Sequence, residues 1–554
     1  MSDQRAESNN RMPPQIKFIV GNEACERFSY YGIRSILAGY ITGEVARGGL
    51  GQSPDTSTTI IHLFIFANYF MPLLGAWLSD KLIGRYYTIL YISLVYCLGN
   101  GVLACSDLFT TVNTKLICLA AGLSLIAFGS GGIKPCVSAF MGDQFKPEQG
   151  HLLQKAYGAF YWAINFGSFF SFLVIPWIKD RSGYGWAFGV PGILMAVATL
   201  IFYLGTRYYT RVPPTRQTNT AGFLEVFVHA FKSQPRLTLG PVLNIGVTLF
   251  LPMVTMIVFT VVALVPVSST FAEGGWQDKI VLGLGWAALA AVGVWYLMIV
   301  VLSLLGRMEL PDSFWQAARG RHSEADVSAA RSVGPILFVF ALIPVFWALF
   351  DQTTSTWVLQ GQKMVFVTVL GYTIGAEQMQ SANPALVMIL VPLLTLGVYP
   401  KLGRWASPLR RMSAGMVLAS VSYVIVAWLQ QRIEGGAQLS VLWQILPYVV
   451  LTTGEVLLSS TGLEFAFAES APSMRSTIMS FWLLTVAFGN LVVTAITKVM
   501  GAGGGHAESV TSSRFLLYAG MTAVVAVLFS FVASRYEYRH PTFRALSASR
   551  EETA

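Results

Sequence analysis

Four ionisable side chains lie close together near the beginning of the chain, in a segment that is otherwise apolar: Glu23, Glu26, Arg27 and Arg34. At helical spacing they share one face with Tyr30 and Tyr31. A charged side chain at the centre of a bilayer costs about 3 kcal/mol even on lenient insertion scales. A membrane helix with this face must therefore pair its charges internally or line a water-filled cavity, which is the chemistry of a transport pathway.

The composition of the chain supports a membrane setting. Of its 554 residues, 54% are hydrophobic and 12% are charged, and the mean hydropathy is +0.57, outside the range of soluble proteins. Apolar stretches of spanning length occur at 18–41, 58–79, 87–105, 115–140, 155–177, 186–207, 240–266, 279–305, 335–358, 380–400, 412–431, 443–466, 474–498 and 514–534. We therefore predict an all-α polytopic membrane protein with fourteen spans.

The net charge of +9 reflects membrane topology, and no nucleic-acid partner is expected. Threading fourteen spans from a cytoplasmic N-terminus places most of the 37 Lys and Arg residues on the cytoplasmic side, as the positive-inside rule requires. Both termini are therefore expected in the cytoplasm. Residues 1–17 are polar and lack the apolar core of a signal peptide.

The sequence predicts neither a cofactor nor a metal ion. The five cysteines show no C-x-x-C spacing, and no metal-ligand cluster, G-x-S-x-G elbow or phosphate loop occurs at a plausible position. The six histidines form no local nucleophile–base arrangement. A protein that is not an enzyme is expected, and a polytopic membrane enzyme is the alternative from a different functional class.

Charged residues recur at equivalent positions once the seventh and eighth spans are set aside as an inserted hairpin, which leaves two groups of six. The first helix of the second group carries Asp351, and the fourth helices carry Lys134 and Glu455. Transporters built from repeated bundles bind substrate near the midplane between the halves. We predict an N-terminal six-helix bundle at 1–209, a linker with the hairpin at 210–333, and a C-terminal six-helix bundle at 334–554.

Three long motifs occur in the first, fourth and fifth spans: Glu23-x-x-Glu26-Arg27-Phe28-x-Tyr30-Tyr31-Gly32, Gly129–Phe145 and Phe160–Ser168. They resemble motifs of the proton-dependent oligopeptide transporter (POT) family of the major facilitator superfamily. Asp80 and Arg85 match the superfamily's loop between helices two and three. Thr354 departs from the family pattern Asp-Gln-x-Gly-Ser, which often has glycine at this position.

The resemblance implies the major facilitator fold, with two six-helix bundles and an inserted two-helix hairpin. It also implies a monomeric symporter that imports di- and tripeptides with protons by alternating access, with membrane lipids around it. The hairpin resembles one common in bacterial members, so a bacterial inner membrane is the expected location. The nearest alternative function is proton-coupled transport of nitrate or another non-peptide solute.

A short peptide at neutral pH carries an ammonium and a carboxylate, so its cavity needs opposite charges at its two ends. Arg34 and Lys134 are the candidates for the carboxylate, and Glu455 is the candidate for the ammonium. Hydrogen bonding and packing are assigned to six further residues: Tyr31, Tyr69, Asn165, Asn383, Trp347 and Trp482. The two tryptophans fit a bilayer-facing position equally well. The charges alone would also suit an amino acid or another zwitterion.

Proton coupling requires carboxylates whose protonation follows their surroundings, because burial favours the neutral form and a neighbouring cation favours the ionised form. Glu23 and Glu26 beside Arg27 meet this requirement, and Asp351 is the further candidate. We expect protonation of Glu23 or Glu26 to release Arg27.

The expected gates are ion pairs between the two bundles, Arg34–Asp351 and Lys134–Glu455, that form and break during transport. His62 lies two helical turns before Tyr69 and matches a histidine of the animal peptide transporters. It either takes part in coupling or lies at the outer edge of the membrane.

Overall fold

The computed structural model describes residues 12–146, 149–214, 221–234, 239–265, 275–403, 407–501, 510–541 and 543–544. The helices up to residue 304 are α1 (Ile16–Thr42), α2 (Pro54–Trp77), α3 (Arg85–Cys105), α4 (Val112–Gly142), α5 (Gly150–Leu204), α6 (Phe223–Lys232), α7 (Leu239–Ile245), α8 (Leu251–Leu264) and α9 (Trp276–Leu304). Shorter helices follow, namely α10 (Asp312–Gln316), α11 (Glu324–Arg331), α12 (Val333–Phe340), α13 (Pro344–Phe350) and α14 (Thr356–Gln362). The last helices are α15 (Ala382–Pro392), α16 (Tyr399–Leu402), α17 (Pro408–Glu434), α18 (Ile445–Glu455), α19 (Thr461–Glu469), α20 (Arg475–Gly501) and α21 (Ser512–Arg535).

A short β-hairpin that the sequence did not predict lies between two helices of the chain. Strands β1 (Val367–Val369) and β2 (Tyr372–Ile374) pair antiparallel. The two turn residues, Leu370 and Gly371, have φ angles of 51° and 78°, as the tight turn of a two-residue hairpin requires.

Within the described residues, eleven helices are long and apolar enough to cross a membrane, or twelve if the pair Glu324–Phe340 and Pro344–Gln362, bent by 47°, forms one span. Helix α1 is absent from this set, although its 27 residues would span a bilayer, and it carries the four charges of the first-helix motif. The span Leu152–Leu204 counts once, but its 53 residues would extend about 80 Å as one helix. The predicted total of fourteen spans stays a prediction.

Helix α5 contains a break that accounts for its length. Gly183 has φ 81° and ψ 177°, which is not helical. A residue with a side chain rarely adopts this backbone conformation. The glycine therefore separates two helical segments that the sequence analysis predicted as spans 155–177 and 186–207.

The chain forms two compact units. Unit 1 comprises Met1–Gln217, Thr353–Met388 and Gln438–Ile445, and unit 2 comprises Thr218–Gln352, Ile389–Ala437 and Leu446–Ala554. The predicted domains follow chain order, whereas here two later segments group with the N-terminal part. Periodicity along a sequence does not reveal such a grouping, and the predicted boundaries at 209 and 333 stay a prediction.

Candidate substrate and proton site

The acidic and basic residues of α1 form a compact buried cluster. Arg27 Nε lies 3.1 Å from Glu23 Oε1 and also donates to Glu26 Oε2. Ser130 Oγ of α4 donates to Glu26 Oε1 at 2.9 Å. The three charged residues are at most 6% exposed. The two carboxylates share one guanidinium, so protonation of either carboxylate would weaken the hold on Arg27.

Close packing against α5 holds α1 in place. A Cβ on Gly167 would overlap the Ala24 carbonyl oxygen, so the two backbones touch at this point. Directly before the cluster, Asn22 Nδ2 donates to the Ala198 carbonyl at 2.9 Å. Small residues permit such contacts between membrane helices. The cluster therefore sits on a firmly supported helix.

Lys134 of α4 lies next to the cluster and above an aromatic ring. Its Nζ is 3.9 Å from the ring centroid of Tyr69 on α2, within the range of cation–π attraction. Glycines bring these two helices together, because a Cβ on Gly75 would overlap the backbone of Gly132. Lys134 also interacts electrostatically with all three members of the α1 cluster: Arg27, Glu26 and Glu23.

Aromatic rings connect the cluster with Arg34. The Tyr30 ring lies 5.5 Å from the guanidinium carbon of Arg27 and 5.6 Å from that of Arg34. Tyr31 lies 5.8 Å from the Arg34 carbon and packs against Phe172 of α5. The two predicted binding residues Tyr31 and Arg34 are thus side by side in unit 1.

Thr354 contacts Arg34 directly. Arg34 Nη2 donates to Thr354 Oγ1 at 3.1 Å, and both residues are buried. The backbone between α13 and α14 is irregular, with Ser355 at φ −125° and ψ −90°. The departure from the glycine that is frequent in the family therefore supplies a hydroxyl that orients the arginine.

Replacing Thr354 by valine keeps the side-chain shape and removes this acceptor. A hydrogen bond to a charged group contributes about 1.5 kcal/mol or more, so we expect the KM for uptake of the peptide substrate that the motifs predict, measured with dialanine, to rise about tenfold. Thr354→Ser should retain the wild-type KM. Thr42→Val is the matched control, because it removes a hydroxyl of α1 that donates to the Ala38 carbonyl within the same helix. An unchanged KM in Thr354→Val would show that the hydroxyl does not orient Arg34 for binding.

His62 is completely buried. Its Nε2 lies 2.9 Å from Ser355 Oγ, directly after Thr354. His62 therefore contacts the same irregular segment as Arg34. A role for His62 in proton coupling stays a prediction.

The two predicted asparagines lie in unit 1. Asn165 of α5 is 7% exposed and donates to the Tyr161 carbonyl one turn earlier at 3.0 Å, which orients its side chain. Asn383 lies in the first turn of α15 and is partly exposed. Their role in substrate binding stays a prediction.

The remaining predicted residues lie in unit 2. Trp347 and Trp482 are 7% and 3% exposed, and their rings meet edge to face at 6.2 Å. They are packed inside the unit, so the bilayer-facing alternative is wrong for both. Glu455 ends α18 and is partly exposed. A π-helical turn, Val456–Ser460, follows it, and such turns are frequent at functional sites.

Asp351 is 2% exposed, and Asn490 of α20 donates to its Oδ2 at 2.8 Å. The two predicted gating pairs each join a residue of unit 1 with one of unit 2, and they stay predictions: Arg34–Asp351 and Lys134–Glu455.

The sequence did not predict three residues that hydrogen-bond to members of the site: Ser130, Ser355 and Asn490. Asn490 was detectable, because a polar residue within an apolar span is costly and often functional. Ser130 was not, because serine is common between membrane helices.

Ion pairs also form away from this site. Arg85 binds Asp143 at 2.7 and 2.8 Å in unit 1. In unit 2, Arg411 binds Glu464 at 2.9 Å, which gives Glu464 a structural partner that its sequence context did not indicate.

Comparison with known proteins agrees with this fold and motif set. A family model described as the POT family, PTR2, matches residues 86–270 and 308–509. Peptide transporter family 1 of Drosophila melanogaster is 34% identical over 436 residues, covering 77% of this chain and 48% of that protein. Solute carrier family 15 member 1 of Homo sapiens is 32% identical over 456 residues, covering 76% and 52%. The chain spans about half the length of the curated relatives it matches.

Two solved structures extend the similarity over nearly the whole chain. An auto-inhibited POT family peptide transporter is 36% identical with a TM-score of 0.77, covering 96% of this chain and 98% of that one. The POT family transporter PepTSo is 37% identical with a TM-score of 0.77, covering 94% and 98%. These comparisons confirm the predicted resemblance and the predicted helical, polytopic major facilitator fold.

Proposed function

Since this chain belongs to the POT family, we propose that it is a proton-coupled symporter that imports di- and tripeptides by alternating access. The observation that carries the proposal is the buried α1 cluster, in which the Glu23 and Glu26 carboxylates share the single guanidinium of Arg27. The relatives named as peptide transporters support a peptide as the substrate.

The substrate is a zwitterion, and the charged residues of both units suit its two ends. Arg34 and Lys134 bind the peptide carboxylate, and Glu455 binds the ammonium. Hydrogen bonding and packing are supplied by the remaining predicted residues: Tyr31, Tyr69, Asn165, Asn383, Trp347 and Trp482. The Tyr30 and Tyr31 rings beside Arg34 support this assignment, because they hold the guanidinium in place without neutralising its charge.

Protonation of Glu23 or Glu26 weakens the hold on Arg27, and Asp351 is the further coupling carboxylate. The gates Arg34–Asp351 and Lys134–Glu455 exchange partners as the protein alternates between its two open forms. One charge moving through 100 mV supplies about 2.3 kcal/mol, which corresponds to a concentration ratio of about fifty. One proton is therefore sufficient for concentrative uptake.

The proposed location is a bacterial inner membrane, with both termini in the cytoplasm. The excess of Lys and Arg in the loops predicted to be cytoplasmic supports this topology. The protein is proposed to act as a monomer, with lipids as its other contacts.

Proteoliposomes that contain the protein and an internal pH dye test the proposal. Addition of external dialanine should acidify the lumen, because each peptide enters with a proton. Nitrate and free alanine are the comparison solutes, and protein-free liposomes are the control. Acidification by nitrate but not by dialanine would replace the peptide with the non-peptide alternative, and no response to any solute would contradict proton-coupled transport.

A further inference from the structure

The inserted hairpin, α8 and α9, packs directly on α20 in unit 2. The ring of Phe488 on α20 lies 6.0 Å from Phe259 of α8 and 5.6 Å from Trp295 of α9. Phe259 is fully buried and Trp295 is 2% exposed. Trp295 Nε1 also donates to the Val247 carbonyl at 2.8 Å. One aromatic side chain of α20 is thus held between both helices of the hairpin.

A lysine of α20 fixes the end of α8. Lys498 Nζ donates to the carbonyls of Ala263 and Val265 at 2.6 and 2.8 Å. The last carbonyls of a helix lack partners within the helix and carry partial negative charge, so an ammonium stabilises them. Nearby, a Cβ on Gly285 of α9 would crowd Val499, so the hairpin approaches α20 as closely as its backbone permits.

The other side of α20 holds the coupling carboxylate. Asn490 donates to Asp351 at 2.8 Å, and a Cβ on Gly489 would overlap the Pro344 carbonyl oxygen, so α20 touches α13 at this point. Trp482, two turns earlier, contacts Trp347. The span that contains α20 is 72% buried, whereas the other single-helix spans are 11–56% buried. Helix α20 is therefore enclosed between the hairpin and the Asp351 segment.

We propose that the inserted hairpin is a clamp that sets the position of α20, so that Asn490 meets Asp351 during proton coupling. Phe488, Trp295 and Lys498 are its positioning residues. They act through Asn490 and touch neither proton nor peptide. The inference rests on the proposed function, because it assigns the hairpin a task in proton-coupled transport.

The test compares two tryptophans of α9. Trp295 contacts Phe488, whereas Trp286 is 55% exposed and serves as the matched control. Proton-driven accumulation of dialanine is measured beside counterflow, which needs no net proton movement. Trp295→Ala should reduce accumulation about threefold to tenfold, which lies within the range of coupling through packed side chains, and leave counterflow within twofold. Trp286→Ala should change neither.

A double variant separates positioning from general damage to the fold. If the hairpin acts through Asn490, Trp295→Ala should have no further effect on accumulation in an Asn490→Ala background. Additive losses, or an equal fall in accumulation and counterflow in Trp295→Ala, would overturn the clamp.

Lys498 provides a second arm in case Trp295→Ala fails to fold. Lys498→Met should lose accumulation as Trp295→Ala does, and Lys498→Arg should restore it because arginine can still donate to the carbonyls. Lys279→Met, at an exposed position of the same hairpin, is the control. Unchanged accumulation in folded Lys498→Met would overturn the clamp. If wild-type protein itself failed to accumulate dialanine, the proposed function would be contradicted instead.

Discussion

Proteoliposomes containing the Glu26→Gln variant are expected to lose proton-driven accumulation of dialanine and to retain counterflow. Glutamine keeps the shape of Glu26 but cannot bind or release a proton. Glu26 is 1% exposed and contacts both Arg27 and Ser130. A water molecule therefore cannot readily take over the role of its carboxylate in binding the proton. The steady-state concentration ratio should fall from about fifty at 100 mV to about one.

The control for this variant is Glu44→Gln. Glu44 also pairs with an arginine, but its side chain is 70% exposed and that of Arg47 is 84% exposed, so accumulation should not change. Glu23→Gln distinguishes the two carboxylates of the cluster. Full accumulation in Glu26→Gln would contradict the assignment of the proton to Glu26, and full accumulation in Glu23→Gln as well would show that the α1 cluster does not carry the proton.

Among the proposed variants, Lys179→Met is expected to show the largest loss of stability. Lys179 of α5 forms an ion pair with Glu377, which is 4% exposed and precedes α15. Removal of one partner of a buried pair leaves an uncompensated charge and costs about 3–5 kcal/mol. The melting temperature in detergent should fall by several degrees, and Lys179→Met/Glu377→Met should recover most of the loss.

The matched control is Arg47→Met, which breaks the exposed pair with Glu44 and should cost at most about 1 kcal/mol. Equal melting temperatures for Lys179→Met and Arg47→Met would contradict the importance of the buried pair.

The stability deficit of Lys179→Met should depend on pH. Burial raises the pKa of the Glu377 carboxyl, and Lys179 opposes that rise. Without the lysine, the pKa of the Glu377 carboxyl in the folded protein stays above its ordinary value of about 4.3. The folded state is then stabilised by the protonated carboxyl below that ordinary value. This stabilisation is lost as the pH rises through the raised pKa. Melting curves measured at acid and neutral pH should therefore show the larger deficit at neutral pH.

The sequence predicted the α1 cluster well, because charges in an apolar helix must find partners and the helical spacing of Glu23, Glu26 and Arg27 already placed them together. It assigned Lys134 to the fourth helix and to the peptide carboxylate, but it did not predict that Lys134 lies beside this cluster. The contact of Lys134 with Tyr69 was not predicted, because it depends on the backbone contact between Gly75 and Gly132.

Contacts between distant segments were the main omission. Ser130, Ser355 and Asn490 each bond a residue far away in the chain, and periodicity describes only which face of a helix is polar. The hairpin β1–β2 was not predicted, because its six strand residues are too few for a clear alternating pattern. The grouping of 353–388 with unit 1 depends on packing. No change in composition along the chain indicates this grouping.

The zero-flux voltage of dialanine transport is the most direct measurement of proton coupling by this chain. With tenfold more dialanine inside proteoliposomes than outside, net peptide flux should vanish at about 60 mV, inside negative, for one proton per peptide. In Glu26→Gln liposomes the dialanine gradient should run down whatever the voltage. Peptide flux through the wild-type protein that ignores both voltage and pH gradient would contradict proton coupling.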